Sequence, residues 1–391
     1  MQPARGDGGS ITSMGQHGIL ENSYAAEARY LEDLAELVRL ESPTTDKSAC
    51  DALATHLSSV LVERGWQVER HARDTVGDII EARFGGAGGV STLILAHLDT
   101  VWPLGTLGQM PLKRAGDKLS GPGTLDMKAG IVSAITAVDL AVAGDQQLSG
   151  DVTLLITSDE ETGSGESRDL IEELAGKHDR VLVVEPGRDD GALKVGRKGV
   201  GGFTATFTGL SAHAGNNPAA GASALRELAH FLLYVEDLAD EVAGTTVNLT
   251  VAEGGFASNV IAERAVGRVD LRVLKASEAE RVERAVREYH PRDKRVSVEI
   301  VGGLNRPPLE RTAVNEELFE LARSGAAALG LEYEGAVVGG GSDGNFTSAL
   351  GIATLDGLGS VGGGPHARDE HIRVRETMQR VALLNWLLTA S

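Results

Sequence analysis

The sequence predicts an α/β protein, in which a domain with a largely parallel sheet flanked by helices is interrupted by an inserted ferredoxin-like α+β domain. Two observations lead to this prediction. Short continuous apolar runs alternate with helical periodicities in the first half of the 391-residue chain, and strictly alternating apolar residues replace those runs after Gly199. Continuous runs are typical of strands buried on both faces, and alternating ones of strands with one solvated face.

In the first part of the chain, helices are predicted where apolar residues recur every three or four positions. These helical segments are residues 30–40, 46–62, 127–142 and 166–174. Strands are predicted at residues 66–69 and at three apolar runs, residues 92–96, 152–156 and 181–184. Because helices alternate with buried strands, we expect these strands to pair largely in parallel.

After Gly199 the elements follow the order strand, helix, strand, strand, helix, strand, which is that of a split βαβ sandwich. The strands are residues 203–207, 247–251, 269–273 and 296–300, and the helices are residues 222–238 and 279–289. The first type of pattern then resumes, with helices at 315–329 and 374–388 and a strand at 352–355. We therefore predict a mobile leader at residues 1–22, a domain formed by 23–198 and 312–391, and an inserted domain at 199–311.

The composition excludes several classes of function. With 56 acidic and 37 basic residues, the formal net charge is −19, which opposes binding to nucleic acids and to anionic membranes. Since Cys50 is the only cysteine, neither an intrachain disulfide nor a thiolate metal site can form. No apolar run approaches the ~20 residues of a membrane helix, and the N-terminus lacks the hydrophobic region of a secretory signal. Cytoplasmic residence is therefore expected.

Side chains that bind metals or protons follow the three apolar runs. His97 and Asp99 come after the first run, Glu160 and Glu161 after the second, and Glu185 after the third. Ligand sites in open α/β sheets lie at the carboxyl ends of the strands, which favours a common site. Each signal also has an ordinary explanation, because His97 can be a surface residue and the two glutamates a solvated turn.

Two further candidates lie in glycine-rich segments. Asp126 ends the segment Gly121-Pro-Gly-Thr-Leu-Asp126 directly before a predicted helix, where it can also be a simple N-cap. His366 ends the segment Gly362-Gly-Gly-Pro-His366, and a histidine in such a loop is often merely exposed. Taken together, histidines and carboxylates without thiolates suit Zn²⁺ or similar ions. Five such ligands with one bridging carboxylate would form a two-metal hydrolytic site.

The order of these segments resembles the M20 family of zinc peptidases and deacylases, and within it the glutamate carboxypeptidase (carboxypeptidase G-like) branch. The resemblance runs from about Tyr24 to the end of the chain. It implies that the inserted domain is a lid or dimerisation domain. The segments that carry it are Ala96-His-Leu-Asp-Thr-Val101, Gly121-Pro-Gly-Thr-Leu-Asp126-Met-Lys128, Ser158-Asp-Glu-Glu-Thr-Gly163, Ser211-Ala-His-Ala-Gly215, Gly339-Gly-Gly-Ser-Asp343 and Gly364-Pro-His366.

The resemblance implies a role for each candidate. One zinc site matches His97, Asp126 and Glu185, and the other matches Asp126, Glu161 and His366, so that Asp126 is the bridge. Asp99 matches the residue that orients His97. Glu160 matches the general base, which takes a proton from a metal-activated water. His213 matches a lid histidine that stabilises the oxyanion, and the bond between Asp126 and Met127 falls where the family has a cis peptide.

The carboxylate of a substrate is expected to bind bases and turns of the inserted domain. The candidates are Arg272, which faces away from the apolar side of its strand, and Asn259, Gly341 and Ser342, which resemble family positions. An arginine fork suits a carboxylate geometrically. A solvated arginine, a turn asparagine and a flexible glycine loop are the alternative explanations.

The function expected from these features is hydrolysis of an amide bond that releases a C-terminal amino acid, as in a glutamate-type carboxypeptidase. The expected cofactors are two divalent ions, with Zn²⁺ favoured and Co²⁺ or Mn²⁺ also compatible. The substrate would be a small peptide or N-acyl amino acid, and the inserted domain would form a homodimer. One alternative is an N-acyl-amino-acid deacylase of the deacetylase or desuccinylase type, and another is a catalytically silent binding protein.

Overall fold

The computed structural model describes residues 13–390. Its helices are α1 Ser13–Ala25, α2 Glu27–Arg39, α3 Lys47–Glu63, α4 Thr106–Gln109, α5 Ala129–Ala143, α6 Arg168–Ala175, α7 Ala224–Glu236, α8 Ala276–Arg287, α9 Ala313–Ala328, α10 Gly344–Ala349 and α11 Val374–Thr389. Its strands are β1 Gln67–His71, β2 Ile79–Phe84, β3 Thr92–His97, β4 Lys113–Ala115, β5 Lys118–Ser120, β6 Val152–Thr157, β7 Arg180–Val183, β8 Leu193–Arg197, β9 Gly199–Thr208, β10 Thr246–Gly254, β11 Arg264–Val273, β12 Ser297–Arg306, β13 Gly335–Val338, β14 Ala353–Leu355, β15 Gly362–Gly363 and β16 His371–Arg373.

The chain divides into two compact units. Unit 1 comprises the described residues up to Lys194 together with 313–336 and 352–390, and unit 2 comprises 195–312 and 337–351. The sequence pattern predicts that residues 337–351 belong to the domain formed by 23–198 and 312–391, whereas the structure places them in unit 2. Asn345 explains the difference, because its amide donates to the carbonyl oxygen of Pro307 at 2.7 Å and so fastens this segment to unit 2.

Unit 1 is built on a six-stranded sheet with the order β1-β2-β6-β3-β7-β14. The predicted α/β fold with parallel strands is confirmed, since β6, β3, β7 and β14 pair in parallel. Every residue of β3 and β6 is buried, as their continuous apolar sequences require. Strand β2, which the sequence analysis missed, is antiparallel to both β1 and β6 and adds an antiparallel edge.

Helix α5 lies close to the polypeptide that follows β7. Eleven of its fifteen residues are buried, which matches its almost wholly apolar sequence. A methyl group on Gly130 would collide with the carbonyl oxygen of Val184, so only glycine permits this approach. The close packing brings the segment that precedes α5, which contains Asp126, beside the segment after β7, which contains Glu185.

Unit 2 has the predicted split βαβ order. Its four-stranded antiparallel sheet has the order β10-β11-β9-β12, and helices α7 and α8 follow β9 and β11. The alternating apolar residues of the strands point to one core, as the period of two predicted. Within this core the ring of Phe231 on α7 lies 5.6 Å from that of Phe207 and 5.0 Å from that of Tyr289.

The predicted leader, residues 1–22, lies outside the described residues as far as Thr12. From Ser13 onward the chain forms α1, and Ile19 on this helix packs against Leu329 and Ala382. This part of the segment therefore belongs to the core of unit 1. Within residues 13–390, every helix is too short or too polar to cross a membrane.

Candidate metal centre

The predicted ligands of unit 1 converge at one edge of its sheet. His97 is the last residue of β3, Glu161 follows β6 by four residues, and Glu185 follows β7 by two residues. Because the three strands are parallel and adjacent, their carboxyl ends meet at the same edge. Asp126 reaches this edge from the segment before α5, and His366 from the loop between β15 and β16.

The first cluster consists of His97, Asp126 and Glu185. The Nε2 atom of His97 lies 3.2 Å from Oδ1 of Asp126 and 3.4 Å from Oε1 of Glu185. The imidazole of His97 is almost completely buried, and Glu185 is 7% exposed. A buried histidine that faces two carboxylates in this way has the side chains of a cation site.

The second cluster consists of Asp126, Glu161 and His366. The Nε2 atom of His366 lies 3.3 Å from Oδ2 of Asp126 and 3.2 Å from Oε2 of Glu161. Asp126 therefore presents one carboxylate oxygen to each cluster. The other oxygen of Glu161, Oε1, is buried and accepts no hydrogen bond from any residue in the described part of the chain.

These distances fit two cation sites. Four ligands placed tetrahedrally at ~2.0–2.1 Å from Zn²⁺ lie about 3.3–3.4 Å from one another. The four distances between ligand atoms in the two clusters are 3.2, 3.4, 3.3 and 3.2 Å. The buried oxygen of Glu161 also lacks the partner that buried polar atoms normally have. The residues therefore fit a pair of divalent ions that share the carboxylate of Asp126.

The carboxylates change the protonation of both histidines. Hydrogen bonds to Asp126 and Glu161 raise the pKa of His366 to about 10, against the opposing effect of burial. Burial opposes protonation of His97, but its contacts with Asp126, Asp99 and Glu185 outweigh this and hold its pKa well above the usual range. Burial likewise opposes ionisation of Asp126, yet the two histidines lower its pKa. The carboxylates thus favour the protonated form of both imidazoles in the protein without metal.

The carboxylate of Glu161 behaves differently. Its pKa is raised, because burial disfavours the ionised form and the charge of Asp126 adds to that effect, while the hydrogen bond to His366 opposes it. A divalent ion beside this carboxylate would remove both penalties, since it neutralises the two acids together. The burial of Glu161 therefore makes its cluster favourable for a cation.

Asp99 connects the end of β3 with the turn after β6. Its carboxylate accepts hydrogen bonds from the hydroxyl of Thr44 at 2.7 Å and from the backbone N–H groups of Glu160 and Glu161 at 3.3 and 3.2 Å. The Nδ1 atom of His97 lies 3.0 Å from the carbonyl oxygen of Asp99 and 3.5 Å from its carboxylate. The side chain of Asp99 therefore fixes the turn of the two glutamates more directly than it fixes the imidazole.

Glu160, the predicted general base, begins the short helical turn Glu160–Thr162. The N–H of Glu160 donates to the carboxylate of Asp99, and the carbonyl oxygen of Glu160 accepts from the N–H of Gly163. Both backbone groups of Glu160 are therefore hydrogen-bonded. Glu160 is half-buried, whereas Asp99 beneath it is completely buried. The turn that contains Glu160 and Glu161 is thus held in place shortly after β6.

The remaining predicted residues belong to unit 2. His213 and Asn259 lie in neighbouring exposed segments, because the N–H of Ala214 donates to the carbonyl oxygen of Asn259 at 2.8 Å. The Nδ1 atom of His213 accepts hydrogen bonds from the N–H groups of Gly215 and Asn216 at 3.1 and 3.0 Å. This arrangement leaves the Nε2 atom of His213 as the nitrogen that carries a proton.

Arg272 and the glycine turn have partners of their own within unit 2. Arg272 forms a two-pronged ion pair with Asp270 on the same strand, with its Nη2 3.0 Å from Oδ2. Gly341 accepts a hydrogen bond from Arg197 at 3.1 Å. The hydroxyl of Ser342 is buried and accepts from the N–H of Gly344 at 3.2 Å. Unit 2 brings His213 and Asn259 together, and Arg272 is already paired.

The sequence analysis missed three residues that contact this centre. Thr44 donates a hydrogen bond to Asp99. Glu370 accepts one from the backbone N–H of Asp126 and another from the indole N–H of Trp102. Thr44 lies in a short loop without any periodic signal. Glu370 lies in the charged run Ala367-Arg-Asp-Glu-His371, which is typical of an exposed loop, although its side chain is completely buried. Only the spacing of four residues from His366 could have drawn attention to it.

Together, the fold and the two clusters of possible cation ligands have the features of a metallopeptidase. Residues 93–390 match the peptidase family M20/M25/M40, and the chain belongs to this family. The Asp126–Met127 peptide is cis, as the resemblance implies. The predicted membership of this family and the prediction of an enzyme are thereby confirmed.

Two curated relatives cover most of the chain. Carboxypeptidase G2 of Pseudomonas sp. (strain RS-16) is 29% identical over 361 residues, which are 90% of this chain and 86% of that protein. Succinyl-diaminopimelate desuccinylase of Leptothrix cholodnii (strain ATCC 51168 / LMG 8142 / SP-6) is 29% identical over 367 residues, 87% of this chain and 92% of that protein. The two relatives thus represent both the leading predicted function and its alternative.

Two solved structures share the fold. Aminopeptidase PepT from Bacillus cereus ATCC 10987 has a TM-score of 0.80 at 21% identity and covers 93% of this chain and 98% of its own. The Bacillus subtilis YXEP protein, described as a dinuclear metal binding peptidase from the M20 family, has a TM-score of 0.66 at 15% identity and covers 94% and 99%. At these identities the likeness concerns the fold.

Proposed function

We propose that this protein is a carboxypeptidase that releases a C-terminal amino acid of the glutamate type, with two divalent ions held at the two clusters. His97, Asp126 and Glu185 would hold one ion, and Asp126, Glu161 and His366 the other. The observation that carries the proposal is the position of Asp126, whose two oxygens lie 3.2 and 3.3 Å from the two histidines. Zn²⁺ is the favoured ion, and Co²⁺ and Mn²⁺ also suit these ligands.

The protein residues would divide the reaction between them. Bound divalent ions supply Lewis acidity, which makes water more acidic and polarises the amide carbonyl. Glu160 takes the proton of the attacking water and then passes it to the leaving amine. Asp99 and Thr44 keep the backbone of Glu160 in place through the bonds described above. His213, with its proton on Nε2, would donate to the oxyanion that develops on the carbonyl oxygen.

The terminal carboxylate of the substrate would bind unit 2 at Arg272, Asn259, Gly341 and Ser342. Arg272 is the residue of this group with the geometry for a two-pronged contact with a carboxylate. Its pairing with Asp270 already holds the guanidinium on the solvated side of β11. A substrate carboxylate would then either join this pair or displace Asp270 from it.

Steady-state kinetics on matched substrates would test the proposal. The panel comprises an acyl-glutamate, a dipeptide with C-terminal glutamate, and the same compounds with the terminal carboxylate amidated. Amidation should lower kcat/KM by about tenfold to a hundredfold, because it removes charge-assisted hydrogen bonds worth ~1.5–3 kcal/mol. Equal kcat/KM values for the free and amidated substrates would contradict the assignment as a carboxypeptidase.

A pair of variants would test the carboxylate site itself. Arg272→Met should raise KM for the acyl-glutamate with a smaller effect on kcat, since the residue binds a part of the substrate that does not react. Arg268→Met is the matched control, because Arg268 is an exposed arginine on the same strand. The same loss of kcat/KM in both variants would argue against a specific role for Arg272.

A deacylase is the second candidate, and the similarity to the desuccinylase of Leptothrix cholodnii favours it specifically. The two activities use the same centre but differ in the part of the substrate that is recognised. A deacylase should hydrolyse N-succinyl or N-acetyl amino acids with a higher kcat/KM than peptides. Including these compounds in the panel distinguishes the two functions in one experiment.

Unit 2 would also form a homodimer. Strand β10 lies at the edge of its sheet and has mostly exposed or half-buried residues, and an open edge can pair with a second copy. Leu225 and Leu233 add exposed apolar surface on the neighbouring helix α7. Sedimentation equilibrium should then give twice the chain mass of 40.9 kDa. A measured mass of one chain at micromolar concentration would exclude the dimer.

Cytoplasmic residence of the protein stays a prediction.

A further inference from the structure

The segment that presents Asp126 forms a short, distorted helical turn at Thr124–Lys128, and one buried side chain fastens it. Glu370 is completely buried, and its two carboxylate oxygens accept four hydrogen bonds. Oε1 accepts from the N–H groups of Leu125 and Asp126 at 2.9 and 3.2 Å. Oε2 accepts from the N–H of Gly123 at 3.0 Å and from the indole Nε1–H of Trp102 at 2.7 Å.

These contacts join three of the five segments that carry the predicted ligands. Trp102 follows His97 and Asp99 on the polypeptide after β3, Gly123 to Asp126 form the second segment, and Glu370 follows His366 by four residues. The backbone adds a further link, because the N–H of Gly121 donates to the carbonyl oxygen of Glu370 at 3.2 Å. Glu370 is thus the point at which these segments meet behind Asp126.

The geometry points to Glu370, with Trp102, as a positioning residue that sets the orientation of the Asp126 carboxylate between the two cations. This inference rests on the proposed binuclear function. The backbone N–H groups of Gly123, Leu125 and Asp126 would lose their acceptor if the carboxylate were removed, and a buried N–H donor without a partner is unfavourable. The segment would therefore rearrange, and Asp126 is the one residue whose displacement affects both cation clusters.

The acceptor role of Glu370 leads to the same conclusion. Its four partners are all N–H donors, so both carboxylate oxygens are used as acceptors. Hydrogen-bonded groups that lie behind metal ligands orient them, and their loss weakens metal binding. Replacement by glutamine keeps the size of the side chain but points an NH₂ group at two N–H donors.

Metal binding by Glu370→Gln tests this inference. The affinity of the full chain for Zn²⁺ is measured by competition with a chromophoric chelator, and the visible spectrum of the Co²⁺-substituted protein reports ligand geometry. Glu370→Gln should weaken Zn²⁺ binding by about tenfold to a hundredfold and alter the Co²⁺ spectrum. Trp102→Phe, which removes one of the four donors, should weaken binding less, by about threefold to tenfold.

Two matched controls separate positioning from general loss of stability. Glu227→Gln changes another completely buried carboxylate that accepts from backbone N–H groups, those of Arg292 and Asp293 in unit 2. Trp66→Phe changes a second tryptophan, which is buried and whose Nε1 has no hydrogen-bond partner among residues 13–390. Both controls should keep the wild-type affinity for Zn²⁺ and the wild-type Co²⁺ spectrum, whatever their effect on Tm.

The possible outcomes distinguish this inference from the proposed function. Wild-type affinity in Glu370→Gln would overturn the inference and leave the proposed function intact. If Glu370→Gln does not fold, Trp102→Phe decides, and unchanged Zn²⁺ binding in that variant overturns the inference. Failure of the wild-type chain to bind any divalent ion would overturn the proposed function, and the inference with it.

Discussion

Asp126 is the residue on which the chemistry of this site depends. It faces His97 with one oxygen and His366 with the other, and the two histidines lower the pKa of its carboxyl group against the effect of burial. An aspartate can face both clusters at once because its two oxygens are equivalent and point apart. Neutral asparagine would offer an oxygen to one cluster and an N–H donor to the other, so it could not serve as a ligand in both clusters.

Glu160 should affect catalysis without affecting the metal content. We expect Glu160→Gln to lower kcat by about 10²–10⁴, the usual contribution of a general base, because glutamine cannot accept the proton of water. Steady-state kinetics and metal analysis by mass spectrometry measure the two quantities separately. Glu172→Gln on α6 is the control and should keep wild-type kcat. Undiminished kcat in Glu160→Gln would show that another group is the base.

Metal binding should release protons at neutral pH. The pKa of His366 is about 10 and that of His97 is also raised, so both imidazoles are protonated at pH 7 in the protein without metal. A cation binds neutral imidazole, so up to two protons leave, and affinity rises about tenfold per pH unit for each proton released. The release should disappear as the pH passes the raised pKa values.

Calorimetry in buffers with different ionisation enthalpies counts the released protons. Repeating the titration at several pH values gives the predicted decrease in release above pH 9. His366→Gln should lower the number of protons released at pH 7 by about one, because the amide of glutamine is neutral and has no proton to release when metal binds. Metal binding without any proton release at pH 7 would show that the histidines are neutral or are not ligands.

At the scale of elements, Lys128 links the Asp126 segment to helix α2. This lysine is completely buried, and its ammonium donates to the carbonyl oxygens of Leu37 and Leu40 at 3.0 and 2.8 Å. These carbonyls lie at the C-terminal end of α2, where four carbonyls lack partners within a helix and a positive charge is favourable. Lys128 thus caps the C-terminal end of α2 and directly precedes α5.

The buried charge of Lys128 should make stability depend on pH. Burial lowers its pKa from 10.5 to about 8, so between these values the unfolded chain binds more protons than the folded one. Stability therefore rises as the pH increases from about 8 to 10.5, by no more than about 3 kcal/mol from this residue. In Lys128→Met this rise should be absent, whereas in Lys177→Met, which alters an exposed lysine, it should remain.

Chemical denaturation at pH 7, 8, 9 and 10 measures this difference. The comparison of each variant with the wild type at the same pH removes the contributions of the other titrating groups. An equal rise with pH in Lys128→Met and the wild type would mean that the buried ammonium keeps an ordinary pKa.

At the scale of the whole molecule, metal binding should be confined to one unit. All five predicted ligands belong to unit 1, while unit 2 has its own core around Phe207, Phe231 and Tyr289. A ligand stabilises the part of a protein that holds it. Removal of metal by a chelator should therefore increase amide hydrogen exchange at residues 121–128, 158–163 and 362–370 and leave strands β9 to β12 unchanged.

Hydrogen exchange followed by mass spectrometry measures both units in one experiment. Phe231→Ala provides the converse control, since loss of this buried ring should destabilise unit 2 by about 3–5 kcal/mol. Exchange should then increase in the strands of unit 2, and the exchange of residues 121–128 should stay at the wild-type level. An equal effect of the chelator on both units would contradict the assignment of the ligands to unit 1.

Local patterns in the sequence determined much of this protein. Continuous apolar runs fixed β3, β6 and β7 as buried strands, and period-two alternation fixed the strands of unit 2, because both depend only on neighbours along the chain. The candidate metal ligands could be named for a related reason. His97, Glu161 and Glu185 each follow a buried strand, and parallel strands place their carboxyl ends together.

The tertiary structure alone decided how the site is held. Glu370, Thr44 and Lys128 make their decisive contacts with residues more than 50 positions away, so no local pattern distinguishes them from solvated polar residues. Residues 337–351 are likewise held in unit 2 by a contact that is distant along the chain, because the amide of Asn345 donates to the carbonyl oxygen of Lys198, 147 positions away. The sequence gives the type of each side chain, but the hydrogen-bond partner of a buried polar group is determined only when distant segments pack together.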